Sequence, residues 1–86
     1  MKTKIDVNHL GRSIKAVNKW NEIQLIIDDV VCGSYKAVIA GSFELNAMFE
    51  SEGSPVYIQL RLELRPFGGV LVLTANAQEI ARKWIL

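Results

Sequence analysis

Cysteine and histidine are almost missing from this chain: Cys32 and His9 are the only residues of their kinds. One thiol cannot close an intramolecular disulfide, whereas small secreted domains usually carry several. One Cys and one His cannot build a zinc site. A Cys/His nucleophilic pair would have to be these two residues, and no third group that would orient them is identifiable. Their plainer reading places His9 in a first helical turn and Cys32 in a turn, partly buried.

Other absences narrow the field further. No apolar run reaches membrane-spanning length, and the basic stretch Met1–Val7 is not followed by the apolar core of a signal peptide. The expectation is a cytoplasmic protein with no membrane partner. Six glycines and two prolines serve only as punctuation, without a linker, a low-complexity tract or a sequence repeat. Phe67-Gly68-Gly69 lacks the glycine and lysine spacing of a phosphate-binding loop. No cofactor and no metal is expected.

Charge is scarce in net terms, at +1, so nothing draws the whole molecule to nucleic acid or anionic lipid. Its distribution is uneven. Lys2, Lys4, Arg12, Lys15 and Lys19 stand against Asp6 at the start. Glu22, Asp28, Asp29, Glu44, Glu50 and Glu52 stand against Lys36 in the middle. Either these segments neutralise one another in the fold, or the basic start is one face of a helix for an acidic partner.

What is present is apolar: 50% of the 86 residues are hydrophobic and 22% charged. That is a globular composition, and the length allows one domain, residues 1–86. Asn8–Trp20 reads as a helix, capped by Asn8 with Leu10, Ile14 and Val17 in a stripe. A strand from Ser13 to Trp20, with Ile14, Ala16 and Trp20 on one side, is the competing reading, and Asn18 breaks its alternation. Ile23–Val31 reads as a strand with Asp29 as an intruder, followed by a turn at Cys32-Gly33-Ser34.

Tyr35 to Phe49 has period 2, with apolar residues or Gly41 at every odd position and a bend or bulge at Gly41-Ser42. After a turn at Ser51–Pro55, Val56 to Leu64 alternates with apolar residues at even positions. Partner numbers must then sum to an odd number, or one strand turns its apolar face to water. Pairing Phe43 with Leu62, Leu45 with Leu60, Ala47 with Ile58 and Phe49 with Val56 also sets Glu44 against Arg61. The register shifted one way would oppose Glu44 and Glu63, so the first is favoured over it, while the register shifted the other way stays open. Val70–Leu73 is apolar on both faces and belongs in a covered, central position.

Asn76 and Glu79 resemble a capping box, opening a final helix with Ala77, Ile80, Ala81, Trp84 and Ile85 as its stripe. The predicted fold is α+β and two-layered: helix, four-stranded antiparallel β meander, helix, with the helices covering one sheet face. Trp20 and Trp84 complete the helical stripes and read as core packing, with an exposed interface anchor as the alternative.

Few residues carry chemistry. Asp28-Asp29 with Glu63-Leu64-Arg65 superficially resembles the acidic cluster of metal-dependent nucleases, yet Arg65 stands where a lysine is needed. Adjacent carboxylates on a strand also face opposite ways. The function that remains is a small non-enzymatic protein-interaction module. Its expected contact residues are Met48, Tyr57, Gln59 and Arg61, on the outer face of the two alternating strands. Val38, Ala40 and Met48 on that nominally polar side, with Ile26 and Val30 on the first strand, suggest surplus apolar surface and a homodimer. The alternative is a nucleic-acid-binding regulator using Lys4, Arg12, Lys15 and Lys19 on the basic helix.

Overall fold

The computed structural model describes residues 4–19, 22–36 and 43–85, and these form eight antiparallel strands without a helix. The strands are β1 (Lys4–His9), β2 (Arg12–Lys19), β3 (Glu22–Ile27), β4 (Val30–Lys36), β5 (Phe43–Ser51), β6 (Ser54–Arg65), β7 (Gly68–Ala75) and β8 (Gln78–Ile85). They make two four-stranded meanders, ordered β1-β2-β3-β4 and β5-β6-β7-β8. The α+β prediction is therefore overturned: the apolar face of the sheet is covered by a second sheet, not by helices.

The core lies between the sheets. Ile5, Ile14, Ala16, Ile23, Leu25 and Ile27 from one meet Phe43, Phe49, Val56, Ile58, Leu60, Leu71, Leu73 and Ala75 from the other. Each strand contributes alternate residues, as face-to-face sheets demand. β4 lies near β5 and β1 near β8, and among the described residues neither pair is hydrogen-bonded as neighbouring strands. Between β4 and β5, Tyr35 stacks on Phe43, ring centroids 4.8 Å apart.

The β5–β6 register is the favoured one of those the alternation allows. Phe43 faces Leu62, Leu45 faces Leu60, Ala47 faces Ile58, Phe49 faces Val56, and Glu44 faces Arg61 on the other side. β7 is central between β6 and β8 and buried on both faces from Gly69 to Ala75, as its unbroken apolar run requires. The outer cover of Val72 comes from Arg61 and Arg82, its cross-strand neighbours. That of Val70 comes from Glu63 and Trp84. Long charged side chains can lie along apolar surface in this way while their heads stay in water.

Both expected helices are hairpins. Residues 8–20 supply the end of β1, a turn at Leu10-Gly11 and β2, whose Ile14 and Ala16 are buried. The spacing of Leu10, Ile14 and Val17 is a coincidence: Leu10 is an exposed turn residue. Residues 76–85 supply a turn at Asn76-Ala77 and β8. The register of β7 and β8 shifts between Leu73 and Thr74, so Ile80 is the extra residue of a β-bulge. Ile80 and Ala81 then both pack on the core. Two consecutive inward residues imitate the i, i+3, i+4 rhythm of a helix, and that produces the false stripe. Trp84, assigned to the core by that stripe, is 60% exposed on the outer face; Trp20 lies outside the described residues.

The turn expected at Cys32-Gly33-Ser34 is in the middle of β4, and the chain reverses instead at Asp28-Asp29. Four turns share one conformation, with positive φ at both central residues: Leu10-Gly11, Asp28-Asp29, Glu52-Gly53 and Asn76-Ala77. These are the turns whose twist matches two paired strands. The bend expected at Gly41-Ser42 lies outside the described residues.

The two sheets repeat a design that the sequence hides. In β3–β4, Leu25 pairs with Gly33, Ile26 with Val31 and Ile27 with Val30. In β7–β8, Leu73 pairs with Ala81, Thr74 with Glu79 and Ala75 with Gln78. Turn and bulge recur at a constant spacing, although Leu25 and Leu73 are the only identical pair over these two hairpins. The clamp on each turn recurs too. Asp28 donates its backbone N–H to Ser13 O and accepts the Ser13 N–H at Oδ1. Asn76 does the same with Tyr57, at 2.8 Å in both directions. Asn76, expected as a helix cap, thus ties a hairpin turn to the neighbouring strand.

Candidate functional site

Met48, Tyr57, Gln59 and Arg61 all lie on the outer face of the β5–β6 hairpin. β5 turns Phe43, Phe49 and their alternates inward, so Glu44, Asn46 and Met48 must face out. β6 does the same with Tyr57, Gln59, Arg61 and Glu63. Met48 and Tyr57 are direct cross-strand partners and are 54% and 59% exposed. They form an apolar pair on a face that is otherwise polar.

The rest of this face is a continuous hydrogen-bonded row. Gln59 Nε2 donates to Glu44 Oε2 at 2.9 Å and to Asn46 Oδ1 at 3.4 Å. Arg61 Nη1 donates to Gln59 Oε1 at 3.5 Å, and Arg61 Nε donates to Glu63 Oε2 at 2.8 Å. On β8, across β7 from the hairpin, Arg82 holds Glu79 through two bonds of 2.7 and 3.1 Å. That hydrogen bonding and the Arg82 charge keep the Glu79 carboxyl below its usual range. A recess of about 190 Å³ opens among Asn46, Tyr57, Gln59, Thr74 and Ala77. This is under the ~300 Å³ at which small-molecule sites begin. It has room for a side chain from another protein. A second, shallower groove of about 460 Å³ runs past Phe43, Glu44, Arg61 and Glu63.

The basic residues are on strands and not on a helix, and Lys4, Arg12 and Lys15 each lie beside an acid. Lys4 lies 3.5 Å from Asp6, Arg12 2.8 Å from Asp28 and Lys15 3.6 Å from Asp29. Lys19 is in β2 opposite Glu22, with its side chain outside the described residues. Arg12 also reaches across the sandwich. Its guanidinium lies 5.1 Å from the Phe49 ring centre and donates to Glu50 O at 3.3 Å. It therefore ties the β1–β2 turn to the other sheet. Arg12 and the Ser13 N–H together lower the Asp28 pKa from its ordinary value.

His9 and Cys32 are not brought together. They sit on β1 and β4, the two outer strands of one sheet, three strand spacings apart, or roughly 14 Å. The Cys32 thiol is exposed and donates to Val30 O at 3.4 Å. Asp28-Asp29 and Glu63 belong to different sheets. Among the described residues no three His, Cys, Asp or Glu side chains are grouped to hold a metal ion. No described helix is long and apolar enough to cross a membrane.

The sequence places Trp84 in the core first and at an exposed interface only as the alternative; it stands outward opposite Val70. Only the β-bulge at Ile80 puts it there, and no residue type announces that bulge. No family model, no curated protein and no solved structure matches the chain.

Proposed function

We propose that the protein is a non-enzymatic interaction module whose contact surface is the outer face of β5 and β6. The observation that carries this reading is the exposed Met48–Tyr57 pair beside a prearranged polar row. An apolar pair rimmed by held hydrogen-bonding groups suits a partner protein that lays an apolar side chain between Met48, Tyr57 and the adjoining recess. Gln59 and Arg61 are already oriented by Glu44 and Glu63, so little side-chain freedom is lost on contact.

The repeated design supplies the test. The clamp residue Ser13 pairs across the hairpin with Asn8, as the clamp residue Tyr57 pairs with Met48. The same position is thus polar in one sheet and apolar in the other. The double variant Met48→Asn, Tyr57→Ser writes the first pair onto the second. The Asn76 clamp uses only the backbone of residue 57, so the fold should survive. Proteins captured from a lysate of the source cell on immobilised wild type, with nuclease present, supply the candidate. Once purified, that candidate should bind the wild type and lose at least tenfold in affinity against the double variant. Equal affinity for both would refute this surface. Capture that collapses after nuclease would point to nucleic acid instead.

A further inference from the structure

β4 and β8 end their sheets with the same register and the same bulge, yet their edges are defended differently. β8 carries Glu79, Arg82 and Lys83 where β4 carries Val31, Ser34 and Tyr35. The other two outer strands are charged as well, β1 by Lys4 and Asp6 and β5 by Glu44 and Glu50. Charges on an outer strand keep foreign strands from pairing with it. β4 has one charge, Lys36 at its end. Val30 is 62% exposed and Val31 51%, and among the described residues the only strand hydrogen-bonded to β4 is β3.

We propose that β4 pairs antiparallel with β4 of a second copy, joining two β1–β4 sheets into one eight-stranded sheet about a two-fold axis. A second copy is the occupant because β4 is complementary to itself, and its bulge makes it so. Val30, Gly33 and Tyr35 share the inner side with Ile27, Leu25 and Ile23. Val31, Ser34 and Lys36 share the outer side with Ile26, Gln24 and Glu22. Joining two copies in one sheet requires inner residues to meet inner ones. Among registers that pair the whole of Val30–Tyr35, one does this: Val30 opposite Tyr35, Val31 opposite Ser34 and Cys32 opposite Gly33.

That register places Lys36 of each copy opposite Asp29 of the other. Asp29 can accept it beside Lys15, because its carboxylate is 89% exposed and Lys15 lies 3.6 Å from one oxygen only. Lys36–Asp29 and Val30–Tyr35 are each formed twice, as two-fold symmetry requires. This pairing uses the opposite sheet from the Met48–Tyr57 surface and is independent of it.

The test is mass by light scattering across a concentration series. The wild type should pass from 9.6 kDa to twice that mass. Val31→Lys adds the charge that the other outer strands already have, and should weaken the dimer at least tenfold. Lys36→Asp, which opposes two acids, should weaken it several-fold. Circular dichroism confirms that each variant is folded. In the proposed register the two Cys32 Cα atoms are about 6 Å apart, given a strand spacing of ~4.8 Å and a rise of ~3.3 Å. That lies within the ~4.4–6.8 Å range a disulfide spans. Mild oxidation of the wild-type dimer should therefore join the copies through Cys32, and this result decides alone should Val31→Lys fail to fold. A wild type that stays monomeric at millimolar concentration overturns the proposal. So does a dimer that neither variant weakens and oxidation does not join, because the second copy then sits elsewhere. Protection of the Val30–Lys36 amides only on adding another protein would also overturn it, in favour of a foreign strand.

Discussion

Exchanging glycine and alanine at two turn positions distinguishes hairpins from helices by the sign of the effect. Ala77 and Gly11 both occupy the second central position of a turn, with φ of 68° and 77°. A left-handed conformation costs a residue with a Cβ about 1–2 kcal/mol. Glycine avoids that cost but gives the unfolded chain more freedom, worth about 0.4–1 kcal/mol. Ala77→Gly should therefore stabilise the protein by about 0.5–1 kcal/mol, the difference between these two terms. Gly11→Ala should destabilise it by a similar amount. The second estimate needs no packing correction, because a Cβ at Gly11 would meet nothing within 4 Å.

At about 4–8 °C per kcal/mol for a domain of this length, the midpoint rises by roughly 2–8 °C for Ala77→Gly and falls similarly for Gly11→Ala. Helices over residues 8–20 and 76–86 would give the reverse. Alanine is favoured over glycine in a helix by about 1 kcal/mol, so Gly11→Ala would stabilise and Ala77→Gly would destabilise. Thermal and urea unfolding of the two variants beside the wild type decide the matter. A loss of stability in Ala77→Gly together with a gain in Gly11→Ala would refute the hairpin account at both ends of the chain.

Two further outcomes follow from the ties between strands. Asp28 has a lowered pKa in the folded protein, so its bonds to Arg12 and Ser13 add stability above its unfolded value of about 3.9. That stability is lost as pH falls through the lower folded value. Asp28→Asn keeps a side chain that tolerates positive φ but removes the charge; its urea midpoint should fall less steeply below pH 4 than that of the wild type, and parallel curves would show that Asp28 does not contribute. Arg12 over the Phe49 ring is half-exposed, so a double-mutant cycle of Arg12→Ala with Phe49→Leu should give a coupling of about 0.5–1 kcal/mol. Additive effects would remove the contact as a link between the sheets.

How much can be read from sequence depends on whether the local rhythm is interrupted. The β5–β6 hairpin has no bulge, so the alternation over Phe43–Phe49 and Val56–Leu64 sets its outward residues, and the Glu44–Arg61 pairing favours its register. Met48, Tyr57, Gln59 and Arg61 are accessible to reasoning for that reason. The central place of β7 is legible from Val70–Leu73 because only a strand covered on both faces can be apolar throughout. β8 and β4 mislead because each contains a bulge, and one extra residue shifts the pattern of everything beyond it. The turns are hidden for another reason. Asp28-Asp29 and Asn76-Ala77 contain no glycine, although both central residues take positive φ. A lone aspartate among apolar residues then looks like an intruder in a strand. Neutralisation of the basic start by the acidic middle is legible in outline from the charge distribution, but which acids meet Arg12 and Lys15 is not, since that depends on strands brought together by folding.

The recurrence of turn, clamp and bulge in two sheets separates what specifies the backbone from what is free to vary. One identical pair across the β3–β4 and β7–β8 hairpins, Leu25 and Leu73, accompanies the same register and the same bulge. Alternating apolar residues and an Asp or Asn at the first turn position therefore suffice for this hairpin, and the outward and outer-strand side chains carry few demands of folding. Where such side chains differ between the halves, folding gives no reason for the difference. Two of the largest differences are Asn8–Ser13 against Met48–Tyr57, and the charged β8 against the apolar β4. An exposed apolar pair and an undefended outer strand each carry a cost, in solubility and in unwanted pairing. The other half of the same molecule shows that the fold can be built without either. Their presence in one half only is what the two proposed contact surfaces would require, and the two lie on different sheets, so the proposed second copy on β4 would leave the β5–β6 face open to a partner.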